Sequence, residues 1–217
     1  TWITKQTAAV IVEPIQGEMG VREADPDWLG LLRTRCDETG ALLIFDEVQC
    51  GLGRTGRLWA HEIAGVTPDM MTLAKPLAGG LPMGATLMTE RVAEVITPGI
   101  HGSTFGGGPL VASVALAVLQ EIAEPAFLGR LRVRAQVFRT SLEAIESPLV
   151  RGVRGRGFMI GVEVSATPAQ VTEACRNEGL LVIPAQDQVV RFLPRLNATA
   201  EELDEAICRF ERALKRL

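Results

Sequence analysis

The sequence predicts an α/β fold built on a mostly parallel sheet, followed by a small carboxyl-terminal α/β domain, and three observations carry this expectation. Short, apolar, β-branched runs alternate with helical stretches through the first 124 residues, and strands separated by helices pair in parallel. Charged residues appear abruptly where two of these runs end. From about residue 125 the pattern shifts to short strands and capped helices, so residues 1–124 are expected in the larger domain and 125–217 in the smaller.

Residues 8–12 read as a strand covered on both faces, broken by Pro14, Gly17 and Gly20. Asp25 and Pro26 read as the N-cap and first residue of a helix; Leu29, Leu32 and Cys36 follow at helical spacing, and Gly40 is placed to end it. Residues 41–45 form a second buried strand that runs into Asp46 and Glu47. A third spans residues 68–73, with Lys75 directly after it and Pro76 holding Lys75 away from helical backbone angles. Gly79, Gly80 and Pro82 turn the chain before the apolar stretch 83–88. Residues 109–122 are apolar around much of a helix, which predicts burial.

In the smaller domain, a helix is expected near residues 127–145, with strands around 158–164, 180–183 and 189–193. A further helix opens with Thr167 and Pro168 and ends near Gly179. The last one begins with the capping box Thr199 and Glu202 and turns Leu203, Ile207, Phe210 and Leu214 to one side. Arg151, Arg154 and Arg156, interleaved with glycines, read as a solvated turn rather than an anion patch. The opening has no initiator Met and runs at once into a buried-type strand, which predicts a preceding segment.

Bulk composition narrows the function classes. The 217 residues are 47% hydrophobic, enough for a substantial core. Twenty-two Lys and Arg against 26 Asp and Glu give no basic surface for a nucleic-acid backbone. Cys36, Cys50, Cys175 and Cys208 are far apart and make no metal pattern with His61 and His101, so buried free thiols are expected, no metal, and packing or surface roles for the histidines. No apolar run approaches the roughly 20 residues of a membrane span. A soluble protein of the cytoplasm or an organelle matrix is the expectation.

Asp46 and Lys75 carry the chemistry. Each follows an inferred buried strand, so both converge on one sheet edge if those strands are neighbours. A lysine desolvated among Leu73, Ala74, Leu77 and Ala78 becomes a nucleophile at neutral pH, whereas a lone strand-end lysine is ordinarily a surface charge. Gly51, Gly53 and Gly56 satisfy GxGxxG, but Asp46 and Glu47 would repel a pyrophosphate, so a tight loop is the better reading.

The runs FDEVQCGLGRTGRLWA (residues 45–60), PDMMTLAKPLAGGLPMGA (68–85) and HGSTFGGGPL (101–110), with VEPIQGEMG (12–20) and RFLP (191–194), occur in the order and spacing of one family. The chain resembles the class III pyridoxal-phosphate aminotransferases of fold type I, nearest to the acetylornithine and ornithine group, and corresponds to their carboxyl-terminal half. The resemblance implies a transaminase moving an amino group from an ω-amino acid such as acetylornithine to 2-oxoglutarate. It makes Lys75 the lysine that forms a Schiff base with pyridoxal phosphate and Asp46 the partner of the pyridine nitrogen. Val48 would lie on the ring face and Gln49 would reach the phenolic oxygen. Ser103 and Thr104 would reach the neighbouring site of a homodimer, Thr104 to phosphate and Ser103 to phosphate or substrate. Arg191 would grip a substrate carboxylate, with Glu18 pairing to it and swinging aside for a keto acid.

Some positions depart from the family pattern: Cys50 stands where a small hydroxyl residue is common, Gly108 where Asn is usual, and RFLPRLNAT lacks a second Pro. The family's phosphate loop and ring-stacking aromatic come from the half that precedes these motifs. Glutamate-semialdehyde aminomutases and 4-aminobutyrate transaminases would use the same Lys75 and Asp46, and a catalytically silent assembly module stands as a third reading.

Overall fold

The computed structural model describes residues 2–217. In chain order the elements are β1 (Ala9–Val12), β2 (Ile15–Gln16), β3 (Arg22–Glu23), α1 (Pro26–Thr39), β4 (Leu42–Asp46), β5 (Met70–Leu73), β6 (Ala85–Met88), the single turn α2 (Glu90–Ala93), α3 (Pro109–Ile122), α4 (Pro125–Glu143), β7 (Val150–Arg156), β8 (Met159–Val164), α5 (Pro168–Asn177), β9 (Ile183–Ala185), β10 (Val189–Phe192) and α6 (Ala200–Leu214). Contacts divide them into two units. The first holds the chain up to Pro14, Ala24–Gly53 and Arg57–Glu124; the second holds Ile15–Glu23, Arg54–Gly56 and Pro125–Leu217. The two short early segments join the second unit through contacts that lie far apart in sequence, which a boundary drawn from composition does not reveal.

In the first unit the sheet order is β1-β4-β5-β6, with β1, β4 and β5 parallel and β6 antiparallel to β5. The α1 helix forms where expected: the Asp25 carboxylate accepts from the backbone N–H groups of Asp27 and Trp28, and Gly40 ends the helix in the left-handed region at φ 80°. Leu29, Leu32 and Cys36 of this helix pack on Leu43 and Phe45 of β4, forming one core cluster. Because strand side chains alternate, Leu42, Ile44 and Asp46 point to the other face.

That other face is only partly covered. Ile11, paired in register with Ile44, is 63% exposed, so β1 is not covered on both faces as its apolar run suggested. The α3 helix also departs from expectation. Only Ala115 and Ile122 are buried, and Leu110 is 72% exposed. Its apolar girth reflects more than one apolar face, of which the described residues cover one.

The second unit is an antiparallel sheet of order β7-β8-β10-β9, packed with α4, α5 and α6. β8 is buried almost throughout, and Phe138, Phe192 and Phe210 meet edge to face at centroid distances of 5.9 and 5.0 Å. The capping boxes at Thr167 and Thr199 both form, the first closed by Gln170 and the second by Glu202. Residues 150–156, read from sequence as a solvated turn, form the strand β7: its alternating Arg and Gly side chains lack the apolar signature, and pairing with β8 decides its state. β9 begins at Ile183, later than expected. Cys36, Cys50 and Cys175 are buried, and burial pushes the Cys175 thiol up to about 11. Cys208 is exposed, contrary to the expectation of a buried thiol, because it lies on the outer side of α6. No single helix among the described residues is long and apolar enough to cross a membrane.

Asp69, just before β5, ties the first unit together. Its Oδ2 accepts from the Leu43 N–H and from Arg33, each at 2.8 Å, and its Oδ1 accepts from Arg91 at 2.7 Å. Burial alone would raise its pKa, but the Leu43 N–H and the two guanidinium groups outweigh it and hold the carboxyl below its ordinary value. A depressed carboxylate stabilises the fold above the unfolded value near 4 and ceases to do so as pH falls through the folded value. Asp69→Asn is expected to lower the unfolding free energy by about 3 kcal/mol at neutral pH. In urea titrations the wild type should approach the variant as pH falls from about 4 through the folded value.

Candidate active site

The site starts from the register of two parallel strands. Asp46, the last residue of β4, lies opposite Thr72 of β5. The Asp46 Oδ1 accepts from the Thr72 hydroxyl at 3.1 Å and from the Val48 N–H at 3.0 Å. The carboxylate is half-buried on the partly covered face. Lys75 comes three residues after Thr72, just past the end of β5, at the same carboxyl edge of the sheet where Asp46 stands.

Lys75 opens a short 3₁₀ turn, Lys75–Ala78, at φ 45°. This left-handed backbone is uncommon for a residue with a side chain, and local strain of this kind clusters at functional positions. Pro76 follows, and Leu77 N–H closes the turn onto Ala74 O at 3.0 Å. Leu73, Leu77 and Ala78 point into a core cluster with Leu52, Met71 and Ala115, while Lys75 itself is exposed. The apolar neighbours therefore do not enclose the amine as the sequence suggested. Lys75 makes no ion pair among the described residues.

Glu47 does what the sequence reading did not anticipate. Alternation turns it to the side opposite Asp46, where it is fully buried. Its Oε2 accepts from Ala60 N–H at 2.7 Å, and its Oε1 from His61 N–H at 2.9 Å and from His61 Nδ1 at 2.7 Å. A proton on Nδ1 completes this contact. Gly51 sits against the same carboxylate, where a Cβ would lie 2.9 Å from Glu47 Oε2. The loop that carries Val48 and Gln49, both half-buried, is thus anchored at each end on one buried acid. Cys50 within it is buried, its Sγ 3.7 Å from Asp46 O. His61, given only a packing or surface role from sequence, is the partner of that acid; the signal was an acid directly after a strand-end acid, with a histidine 14 residues on.

Ser103 and Thr104 lie on an exposed loop, where Ser103 Oγ accepts from Gly106 N–H at 3.0 Å. His101 is exposed as well. In the second unit Arg191, in the middle of β10, is 3% exposed, and its Nη2 meets Glu18 Oε1 at 2.9 Å. Glu18 lies in the β2–β3 turn with its side chain 64% exposed, and Gln186 N–H donates to its carbonyl. The resemblance to the family implied this pairing of Arg191 with Glu18. Among the described residues no group of three or more His, Cys, Asp or Glu could hold a metal ion.

This donor set fits a pyridine-ring cofactor. Both bonds to the Asp46 side chain among the described residues reach Oδ1, so Oδ2 can accept from a protonated ring nitrogen. An uncommitted primary amine stands at the same sheet edge.

The chain belongs to the class III aminotransferase family: the description "Aminotransferase class-III" matches residues 1–214. The mitochondrial acetylornithine aminotransferase of Alnus glutinosa is 53% identical over 93% of the chain and 46% of its own length. The acetylornithine aminotransferase of Rhodobacter capsulatus is 44% identical over 97% of the chain and 54% of its own length. Among solved structures, N-acetylornithine aminotransferase from Stenotrophomonas maltophilia superposes with a TM-score of 0.90 at 38% identity, covering 98% of this chain and 57% of that one. Ornithine aminotransferase from Toxoplasma gondii superposes with a TM-score of 0.90 at 36% identity, covering 98% and 52%. The chain spans about half the length of the curated relatives it matches.

Glu47→Gln offers one acceptor and one donor where the buried site presents only donors. It is expected to destabilise the protein by about 2–4 kcal/mol, read as a lower urea midpoint, because an amide N–H₂ would face a backbone N–H.

Proposed function

We propose that the protein is a transaminase that holds pyridoxal phosphate on Lys75 and transfers the amino group of an ω-amino acid, acetylornithine being the preferred donor, to 2-oxoglutarate. The observation that carries this reading is the pairing of Asp46 with Thr72 on adjacent parallel strands, with Lys75 following the second strand, in a chain of the class III family. The acetylornithine relatives favour that donor over the substrates of glutamate-semialdehyde aminomutases and 4-aminobutyrate transaminases.

Bound pyridoxal phosphate supplies an electron sink for the charge left when the donor carbon loses its proton. Asp46 keeps the ring nitrogen protonated, its orientation fixed by Thr72 and Val48. Val48 would flank the ring and Gln49 would serve the phenolic oxygen. Lys75 holds the cofactor and then carries the proton, an acid/base task favoured by proximity. Arg191 binds the substrate carboxylate with its planar fork, and Glu18 covers it when no such carboxylate is present. Ser103 and Thr104 serve the partner site in a homodimer. Residues 1–124, apart from Ile15–Glu23 and Arg54–Gly56, form part of the cofactor-binding large domain, and residues 125–217 with those two segments the small domain. The reaction belongs to arginine biosynthesis in the cytoplasm or an organelle matrix.

The protein mixed with pyridoxal phosphate should develop a visible absorption band that borohydride bleaches, with the reduced label mapped by mass spectrometry to Lys75. Lys75→Ala should lose the label, and where turnover is measured it should fall by about 10²–10⁴-fold. A label that persists in Lys75→Ala would overturn the assignment, and a panel of ω-amino donors tests the substrate.

A further inference from the structure

We propose that the second unit carries a binding site for a tetrahedral oxyanion, inorganic phosphate or a phosphomonoester, walled by Arg132, Arg139 and Arg156 and floored by Thr55. These residues line a cavity of about 230 Å³, smaller than the roughly 300–1,000 Å³ of pockets for organic ligands.

The site is assembled from three segments. Arg132, Gln136 and Arg139 recur at i, i+4 and i+7 on α4 and so share one face of the helix. Gly155 and Arg156 come from the end of β7, Gly157 from the turn that leads to β8, and Thr55 from the short segment Arg54–Gly56. Close approach of backbones makes this possible: a Cβ on Gly157 would lie 2.5 Å from Arg54 O, and one on Gly56 2.8 Å from Arg132 Cγ.

The guanidinium groups are held in place before any ligand arrives. Arg132 donates to Gly56 O at 2.9 Å, Arg139 to Gly155 O at 3.0 Å and to Glu143 at 2.8 Å, and Arg156 to Glu23. Each guanidinium carries five N–H donors, so these bonds leave others for a ligand. Two carboxylates, Glu143 and Glu23, face three guanidinium groups, and Arg132 pairs with no carboxylate among the described residues. One positive charge stays uncompensated.

The second observation is the floor. Thr55 is 6% exposed, and its buried hydroxyl has no hydrogen-bond partner among the described residues. A purely structural role for the arginines, clamping the carbonyls of Gly56 and Gly155, explains their bonds but leaves this hydroxyl unmet. An oxyanion accepts from both. The site shares no residue with the proposed cofactor site, so it stands or falls independently of the transaminase reading.

Calorimetric titration of the protein with inorganic phosphate, at ionic strength matched with sodium chloride, tests it. A saturable one-site heat is expected, and Thr55→Val and Arg132→Gln should each weaken it by about tenfold or more, the loss of one hydrogen bond to a charged group. Thr55→Ser should restore it. Glycerol phosphate binding as tightly as phosphate would assign an ester, and failure to bind would assign the free ion. Unchanged affinity in both Thr55→Val and Arg132→Gln, or a heat that follows ionic strength alone, would overturn the proposal.

Discussion

The register that sets Asp46 beside Thr72 is the constraint on which the candidate site depends. Parallel strands bring their carboxyl ends to one edge, and residues opposite one another in register point to the same face. Once β4 and β5 pair as Ile44 with Met70 and Asp46 with Thr72, the acid gains a hydroxyl donor and Lys75 is delivered to that edge three residues later. A slip of one residue would exchange the faces. Asp46 would then turn toward α1, to the side of Leu43 and Phe45, and lose the Thr72 hydroxyl.

The same alternation explains why two adjacent acids have unlike fates. Glu47 turns away from Asp46 and is buried, and only its three donors from Ala60 and His61 make that burial tolerable. The gain is positional. The chain between residues 47 and 61 leaves β4 and returns to its end, so the segment bearing Val48 and Gln49 is fixed without needing a regular element. Asp69 plays the corresponding part at the opposite end of β5, joining α1, β4 and α2 through Arg33, Leu43 and Arg91.

Much of this was legible in the sequence because local signals and tertiary outcome agree. Asp25, Pro26 and Gly40 delimit α1, the cap Thr167 and the box at Thr199 open α5 and α6, and the strands before Asp46 and Lys75 lie within two residues of where the apolar runs put them. The failures share a cause. β7 is a strand by its partner β8, not by its own Arg and Gly composition. The exposure of Ile11 and Leu110 depends on what packs over them, which apolarity cannot report. The enclosure of Lys75 failed similarly: Leu77 and Ala78 are apolar and adjacent, yet a left-handed residue at Lys75 and the turn after it send them into the core and the amine outward. Glu47 and His61 were missed because a hydrogen bond spanning 14 residues leaves no periodic trace.

Donor count separates the carboxylates that hold the fold from the one suited to chemistry. Glu47 and Asp69 each accept three hydrogen bonds spread over both oxygens, and with lone pairs committed to fixed donors, neither can engage a ligand without breaking the structure that stabilises it. Asp46 accepts two, both from uncharged donors and both at Oδ1. Its orientation is fixed while its second oxygen can still meet a cation, and no guanidinium among the described residues neutralises it. An acid held this way attracts a positively charged ring nitrogen more strongly than a paired one would, since nothing nearby has already cancelled its field. Among the acids at the ends of β4 and β5, only Asp46 is at once oriented and electrostatically unspent, and this distinguishes it from its neighbour Glu47 on chemistry alone.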